Sequence, residues 1–560
     1  MICPDASSPN PGYLTFMRAT DHTHPSDLRP AEAAFAAELH DVRPSLDAAF
    51  ATALPGARAA VLARLWRALQ IEPLPLPAEV RGRLTGPERR PHDADAPAPG
   101  YTVNLGETPF THPAALLEAL SLPGSATLLA ELEHSVVSLA LSRAGAVTAP
   151  ALPDAADGPL PQRAGASTQA RNARHSLVAA ERSIVDGHPY HPCSRSRPGF
   201  TVADQLAYAP EHGADVALEL APLPARRALV VGDWPARLRD EQGGVLLPVH
   251  PWQAREVLPR LGVLPLGPTL PAAPLMSVRT LAPRDGGPHL KTSLSLRMTS
   301  AVRDISGASV RNALAVSALL ESLVAPLRGT LRVTRNLAAG AALLDGEPSA
   351  DLAVIVRESP ATGLRPGERV VPLAALAAHP LKTEDPVAWC AAFARLTWPP
   401  LLTLWDRGVA LEAHGQNLLL VLDDTDRPVR LVYRDLADIR VSPARLARAG
   451  LVAAPQHAPL TGHNLSDDPE VLRRKLLGSL VGGVLSGLVS GFGGGDRALE
   501  ARLWRAIATE ARLAATAVLR DPADRRALLA DPLPVKALTL MRLDGRPSGD
   551  HWTEVPNPLA

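Results

Sequence analysis

From Leu290 to Thr299 the side chains divide strictly by position. Leu290, Thr292, Leu294, Leu296 and Met298 fall on one face of an extended chain, and Lys291, Ser293, Ser295, Arg297 and Thr299 on the other. A period of two belongs to a strand with one packed face, and a slip of one residue would turn every apolar group toward water. An ordinary half-exposed strand alternates in the same way. What sets this one apart is a polar face of two cations and three hydroxyls without a carboxylate, a composition suited to an extended anionic ligand such as a nucleotide. Arg303 follows in the turn before the next helix. Ser277 lies on the preceding strand, and an antiparallel return would bring it near Lys291.

Lys291 is conspicuous for a second reason: of 57 lysines and arginines, only four are lysine. Lysine is a compact, mobile point charge where arginine is a planar fork, and it suits clustered phosphate oxygens. The other three, Lys382, Lys475 and Lys536, sit at positions with no obvious chemistry.

A second polar cluster precedes a hairpin. Leu418 to Leu422 and Val429 to Tyr433 read as strands joined by the turn residues Asp423 to Pro428. In an antiparallel hairpin the end of the second strand lies beside the start of the first, so Asp435 is returned to His414, Gln416 and Asn417, with Glu412 just upstream. A carboxylate, an amide and an imidazole brought together this way make a plausible magnesium-nucleotide site, because magnesium takes a few oxygen ligands and shares the rest with phosphates. Protein kinases use a comparable spatial logic.

The third cluster is His188-Pro-Tyr-His191-Pro-Cys-Ser-Arg195-Ser-Arg197. A proline after each histidine forbids a helix and with it a helical metal pair. The histidines read instead as neutral hydrogen-bonding groups, with Arg195 and Arg197 as anion clamps. Val249-His-Pro-Trp-Gln253 has a similar flavour. The glycines at 491 to 495 lack a lysine-serine pair and are no P-loop, and neither a G-x-G-x-x-G nor a G-x-S-x-G motif occurs.

At 560 residues the chain calls for two to four domains. Its formal net charge of zero gives no global field for nucleic acid or an anionic membrane, so any anion site is local. Cys3, Cys193 and Cys390 form neither a disulfide framework nor a zinc spacing. Met1 to Thr20 has no apolar signal core, which points to the cytoplasm. The one membrane-like run, Leu476 to Phe492, is broken by five glycines and three serines and reads as a buried helix. Helical periodicity covers residues 30 to 70 and 113 to 142, and a Pro/Ala/Gly-rich stretch from Gly145 to Ala166 marks a boundary. Strands and helices then mix, with helices dominating from Glu470. The absence of repeats or regular βα alternation makes the class α+β.

Taken together, His188-Pro-Tyr-His191-Pro with Arg195, the Lys291 to Arg303 segment, and His414-Gly-Gln416-Asn417 with Arg434-Asp435 resemble the motifs of the aerobactin-synthetase (IucA/IucC) family. These are siderophore synthetases that work independently of nonribosomal peptide synthetases. Val249-His-Pro-Trp-Gln253, Val356-Arg-Glu358 and Lys536 to Arg542 also fit, so the resemblance spans about residues 170 to 545. It implies a cupped-hand architecture: a helical thumb (1 to 165), mixed α/β fingers carrying the ATP-binding strand (166 to 345) and an α+β palm with the hairpin site (346 to 560), commonly as a homodimer. It implies ATP and magnesium as cofactors, and activation of a carboxylic acid, often citrate, as an acyl-adenylate that an amine or hydroxyl attacks, releasing AMP and pyrophosphate.

By resemblance, Ser277, Lys291, Thr299, Arg303, Gln416, Asn417 and Arg195 contact the nucleotide. His188, His191, Thr299, Arg303 and His414 contact the carboxylate substrate, Glu412 and Asp435 bind magnesium, and Lys291, Arg303 and His414 are catalytic. Two positions depart from the pattern: Arg195 stands where lysine is common, and Asp438 where glycine is frequent. A kinase-like phosphotransferase and a non-catalytic nucleotide- or citrate-binding protein remain the competing readings. Attack of a carboxylate on an α-phosphate joins two anions, so fixed cations must sit where charge builds up. Lys291→Ala or Arg303→Ala should therefore lower turnover by about 100-fold to 1000-fold; near wild-type turnover in steady-state kinetics would refute the assignment.

Overall fold

The structure, a computed structural model, describes residues 28–148, 176–262, 269–298, 301–451, 464–545 and 550–560. Thr299 and the division expected at residues 165 and 166 lie outside them.

The N-terminal part is helical, as its periodicity requires. Asp47–Ile71 and Ala126–Thr148 pack along their lengths, burying Leu54, Leu62, Leu65, Leu132 and Val136. Between them, three short strands (Leu84–Thr85, Val103–Leu105 and Thr108–Phe110) form a small sheet outside the two stretches of helical periodicity. These strands are too short for any period to show.

The middle of the chain builds an eight-stranded sheet. Its order is Ala228–Gly232, Asn336–Leu344, Glu347–Arg357, His289–Thr292, Thr280–Pro283, Thr269–Pro274, Val216–Leu223 and Val245–Val249. All its pairings are antiparallel. The Gly307–Val324 helix covers one side. Glu347–Arg357 pairs inside this sheet, so the sheet runs across the division expected between residues 345 and 346.

The alternating segment is split. His289–Thr292 sits in the large sheet and is buried on both faces, whereas Leu294–Met298 leaves it to pair with Ala301–Arg303. The break is at Ser293, whose backbone N–H and hydroxyl both bond to the carbonyl of Ala353, the hydroxyl also reaching that of Ala350. Beyond it the alternation survives as alternating burial. Arg303 thus ends a hairpin strand instead of occupying a turn. Ser277 lies in the tight turn before Thr280–Pro283, accepting from the Thr280 N–H at 3.1 Å, rather than on the strand itself. The antiparallel return is as expected, with Thr280 opposite Lys291.

The hairpin forms as its turn chemistry demands: Leu418–Leu422 pairs antiparallel with Pro428–Tyr433, Leu418 opposite Tyr433. Arg369–Pro372 and the parallel strand Leu331–Val333 complete a four-stranded sheet. Its largely aliphatic core includes Phe393, Trp398 and Trp405 of the Pro386–Asp406 helix, which packs against the Arg497–Val518 helix. Leu476 to Phe492 is buried helix as expected, part of a Pro469–Gly493 segment with a π-helical middle, Leu480–Leu485. Its glycines allow close approach: a Cβ on Gly491 would lie 2.5 Å from the Ala377 carbonyl. Pro44–Ile71 and Gly307–Leu327 are also long and apolar enough to cross a membrane, where sequence inspection singled out one segment.

The N-terminal helical part is tied to the C-terminal segment. Glu72 accepts from the N–H groups of Thr539 and Leu540 at the start of the Leu538–Asp544 helix, and buried Arg542 of that helix pairs with Glu131. Asp93 binds Arg497 at 2.7 Å.

Candidate active site

Two backbone features bring Lys291 and Asp435 together. Lys291 projects from a central strand of the large sheet, and Asp435 follows the last strand of the hairpin with a left-handed φ of 70°. A non-glycine residue rarely adopts that conformation, though aspartate tolerates it better than most. The turn points the carboxylate at the other sheet, where Lys291 Nζ donates to Oδ1 and Oδ2 at 2.6 and 2.7 Å. Arg357, on the adjacent strand, stands 3.8 Å from Oδ1. Against burial, Lys291 and Arg357 hold the Asp435 carboxyl well below its usual range. Burial lowers Lys291 to about 8, with Arg279 and Arg357 acting in the same direction and Asp435 opposing.

Two adjoining recesses share Arg357 and Asp435. One is lined by Lys291, Ser309, Asn312 and Asn336, the other by Ser277, Thr280, Gln416, Asn417 and Arg434. The hairpin therefore does what its register requires: Asp435 is returned beside Gln416 and Asn417, and the Arg434 N–H donates to the Asn417 carbonyl at 2.9 Å. Arg434 itself is held by Glu181 at 2.6 Å and by the Gln416 carbonyl.

Glu412 forms the second charged centre. Its Oε1 accepts from Lys475 at 3.0 Å and from Lys536 at 3.2 Å, and His414 Nε2 lies 4.0 Å from Oε2. Although burial works the other way, Lys536 and Lys475 keep this carboxyl well below the normal range. Lys475 and Lys536, set aside in the sequence reading, thus belong to the site, and three of the four lysines contact its two carboxylates. Lys536 also meets Asp550 at 3.2 Å. Arg303 is half-buried, and burial lowers its pKa while Asp438, Asp435 and Glu412 oppose that shift. Asp438, at the position where glycine is frequent in the family, therefore contributes a carboxylate facing Arg303.

His188 is exposed, and the protein packed around it and the neighbouring His414 both act to lower its pKa. His191 is fully buried behind it, the two rings 6.4 Å apart. Arg195 is a correction. Its guanidinium is spent on the Val185 and Ile184 carbonyls and on Glu211 at 3.3 Å, and Arg197 meets the same carboxylate at 2.7 Å. Both are structural cations with their anion already supplied. Arg357 and Arg279 were missed as site residues. Arg279, buried and lowered to about 10, holds the Asp304 carbonyl at 2.7 Å and so positions the end of the Arg303 strand.

No group of three His, Cys, Asp or Glu side chains assembles into a metal cage among the described residues. Glu412 and Asp435 are ionised carboxylates of the kind that hold magnesium beside phosphates, one or two at a time. In this arrangement lysine ammonium groups neutralise both.

The profile of the IucA / IucC family matches residues 176–378, the span that carries Ser277, Lys291, Arg303 and Arg357. That segment is similar to the IucA/IucC family. A second profile, ferric iron reductase FhuF-like transporter, matches residues 387–550. Among curated relatives, the uncharacterized protein y4xN of Sinorhizobium fredii is 27% identical over 67% of this chain and 70% of its own length. Citryl-spermidine/3,4-dihydroxybenzoyl-citryl-spermidine:spermidine ligase of Bacillus anthracis is 28% identical, and the match spans 46% of this chain and 50% of that enzyme. In three dimensions the petrobactin biosynthesis protein AsbB of B. anthracis aligns over 92% of this chain and 98% of its own, with a TM-score of 0.69 and 18% identity. ATP-bound aerobactin synthetase IucA of Klebsiella pneumoniae aligns over 82% and 89%, with a TM-score of 0.62 and 21% identity. The α+β fold is that of the IucA/IucC siderophore synthetases.

Gly415 couples the fold to the site. Its carbonyl accepts from the Ala374 N–H at 3.0 Å, and a Cβ there would come within 2.9 Å of that same nitrogen. Gly415→Ala should cost about 1–3 kcal/mol in urea unfolding and displace His414 and Gln416, lowering turnover as well; full stability and activity would contradict this packing.

Proposed function

We propose that this protein is an ATP-dependent ligase that activates citrate or a related polycarboxylic acid as an acyl-adenylate and condenses it with an amine or hydroxyl, releasing AMP and pyrophosphate. The observation that carries the reading is the Lys291–Asp435 pair set between two recesses, with Ser277, Gln416 and Asn417 around one of them. A relative whose name describes ligation of spermidine to a citryl group, and an ATP-bound synthetase of the same fold, support the substrate classes and the nucleotide.

In this reading Lys291 leaves Asp435 for a phosphate oxygen of the bound nucleotide, and Arg357 steadies the carboxylate it leaves behind. Asp435 and Glu412 are the residues that would hold magnesium, which when bound screens phosphate charge. Arg303 faces the site where the acid carboxylate meets the α-phosphate, and His414 lines the same space. Asp550 and Asp438 give the cleft the negative charge that an amine nucleophile needs. We assign the helical thumb to the residues before the 149–175 stretch, the fingers through Arg357, and the palm beyond it, in a cytoplasmic homodimer.

Incubation with ATP, citrate and a panel of polyamines should give acid-dependent pyrophosphate and AMP, and hydroxylamine should trap the activated acid as a hydroxamate. ADP instead of AMP would favour a kinase. No acid-dependent turnover with any acid in a panel of polycarboxylates would leave a binding protein.

A further inference from the structure

A short helix is wedged between the two sheets. Among the described residues it covers 176–182, ahead of the His-Pro segment. Leu177 is buried against Val370, Leu419, Val421 and Val432 of the four-stranded sheet, and Val178 against Ala273, Leu275 and Ala282 on the side of the eight-stranded one. Successive residues on a helix point about 100° apart, so two neighbours can each face a different sheet. Glu181 lies one turn on from both, which sets its carboxylate over the seam between them.

That carboxylate is fully buried, and its two oxygens go to opposite sides. Oε2 accepts the Met276 N–H at 2.9 Å, and Oε1 pairs with Arg434 Nη1 at 2.6 Å. Met276 directly precedes Ser277, and Arg434 directly precedes Asp435. Ser277 and Asp435 line the same recess, together with Gln416 and Asn417. Arg434 passes the contact on: its Nε donates to the Gln416 carbonyl and its backbone N–H to the Asn417 carbonyl, each at 2.9 Å.

Both sides of the recess turn through backbone that needs outside support. Val278 has a φ of 64° and Asp435 one of 70°. For a β-branched residue such as Val278 that is a true outlier. Its N–H donates to the Leu275 carbonyl at 2.7 Å, the Leu275 N–H donates to the Thr280 carbonyl at 2.9 Å, and its side chain is buried. Conformations of this kind persist where the surroundings over-determine them. Glu181 anchors the residue beside each turn. Its charge also reaches Arg357, which borders the recess: burial lowers that guanidinium and Arg434 pushes it the same way, while Asp435 and Glu181 oppose.

We infer that Glu181 is a positioning residue, which holds the Ser277 turn and the Arg434–Asp435 turn in register across the recess without touching what binds there. The Lys291–Asp435 pair joins the same two sheets, but in the ligase reading Lys291 gives up Asp435 to the nucleotide. Glu181 stands outside that exchange because both of its oxygens are committed to protein donors. The two sides therefore keep their spacing while the ion pair opens. The identity of the ligand rests on the ligase reading; the tie itself is a property of the free protein.

Hydrogen–deuterium exchange of the full chain without ligand, followed by mass spectrometry, tests the tie. Glu181→Ala removes both contacts, and exchange should quicken about 10-fold or more in peptides covering 275–280 and 430–436, with the remainder of both sheets unchanged. Glu181→Gln keeps the size and an acceptor for the Met276 N–H but loses the charge opposite Arg434, so 430–436 should quicken while 275–280 stays slow. The Gln variant decides the matter where the Ala variant fails to fold. Wild-type exchange at 430–436 in the Gln variant, or a general loosening of the whole chain there, overturns the proposal. In steady-state kinetics Glu181→Gln should raise KM for ATP about 10-fold with kcat at saturating ATP near that of the wild type, because Glu181 anchors none of Lys291, Arg303 and His414. A fall in kcat with KM for ATP unchanged refutes the positioning role. A wild-type protein that shows no acid-dependent pyrophosphate release counts against the ligase reading, and the exchange result then decides the tie by itself.

Discussion

The ion pair between Lys291 and Asp435 joins the two halves of the site. One partner is anchored in the eight-stranded sheet, the other at the end of the four-stranded one, 144 residues further along the chain. Taking both charges out of bulk water costs several kcal/mol per ion, and their attraction offsets this only with close geometry and further partners. Both conditions hold here, with two bonds under 2.8 Å and Arg357 behind the carboxylate. The left-handed backbone at Asp435 is the strain that aims the carboxylate across the gap. Whatever binds between the sheets must compete with this pair, which suits a phosphate that attracts the ammonium while a cation attracts the carboxylate.

The Glu412 centre repeats the design with two lysines on one carboxylate oxygen. Lysine, with one mobile charge at the end of a flexible stem, can change partners without a planar fork having to be realigned. Arginines serve elsewhere as fixed struts: Arg195 and Arg197 on Glu211, Arg434 on Glu181, Arg542 on Glu131. Three of the four lysines are thus gathered on these two carboxylates.

What was legible in the sequence was local. The Leu418–Tyr433 hairpin followed from apolar runs and turn residues, and its register placed Asp435 beside Asn417. Lys291 stood out by rarity and pattern. The unreadable parts depend on distant partners. Lys475 and Lys536 looked inert because Glu412 lies 63 and 124 residues away. Arg195 looked like a clamp because nothing near it announced that Glu211, on a later turn, would neutralise it. The break at Ser293 depends on carbonyls of Ala350 and Ala353, which no periodicity in the strand itself could reveal. The IucA/IucC resemblance supplied the reaction class, which no residue pattern alone would specify.

The central claim is that Lys291 exchanges Asp435 for a nucleotide phosphate. Calorimetric titration of magnesium-ATP into the wild-type protein and Lys291→Met, with circular dichroism to verify folding, tests it directly. A folded Lys291→Met protein that has lost most of its ATP affinity, by about 10-fold or more, is the result the account predicts. A folded variant that binds ATP as tightly as the wild type would contradict it.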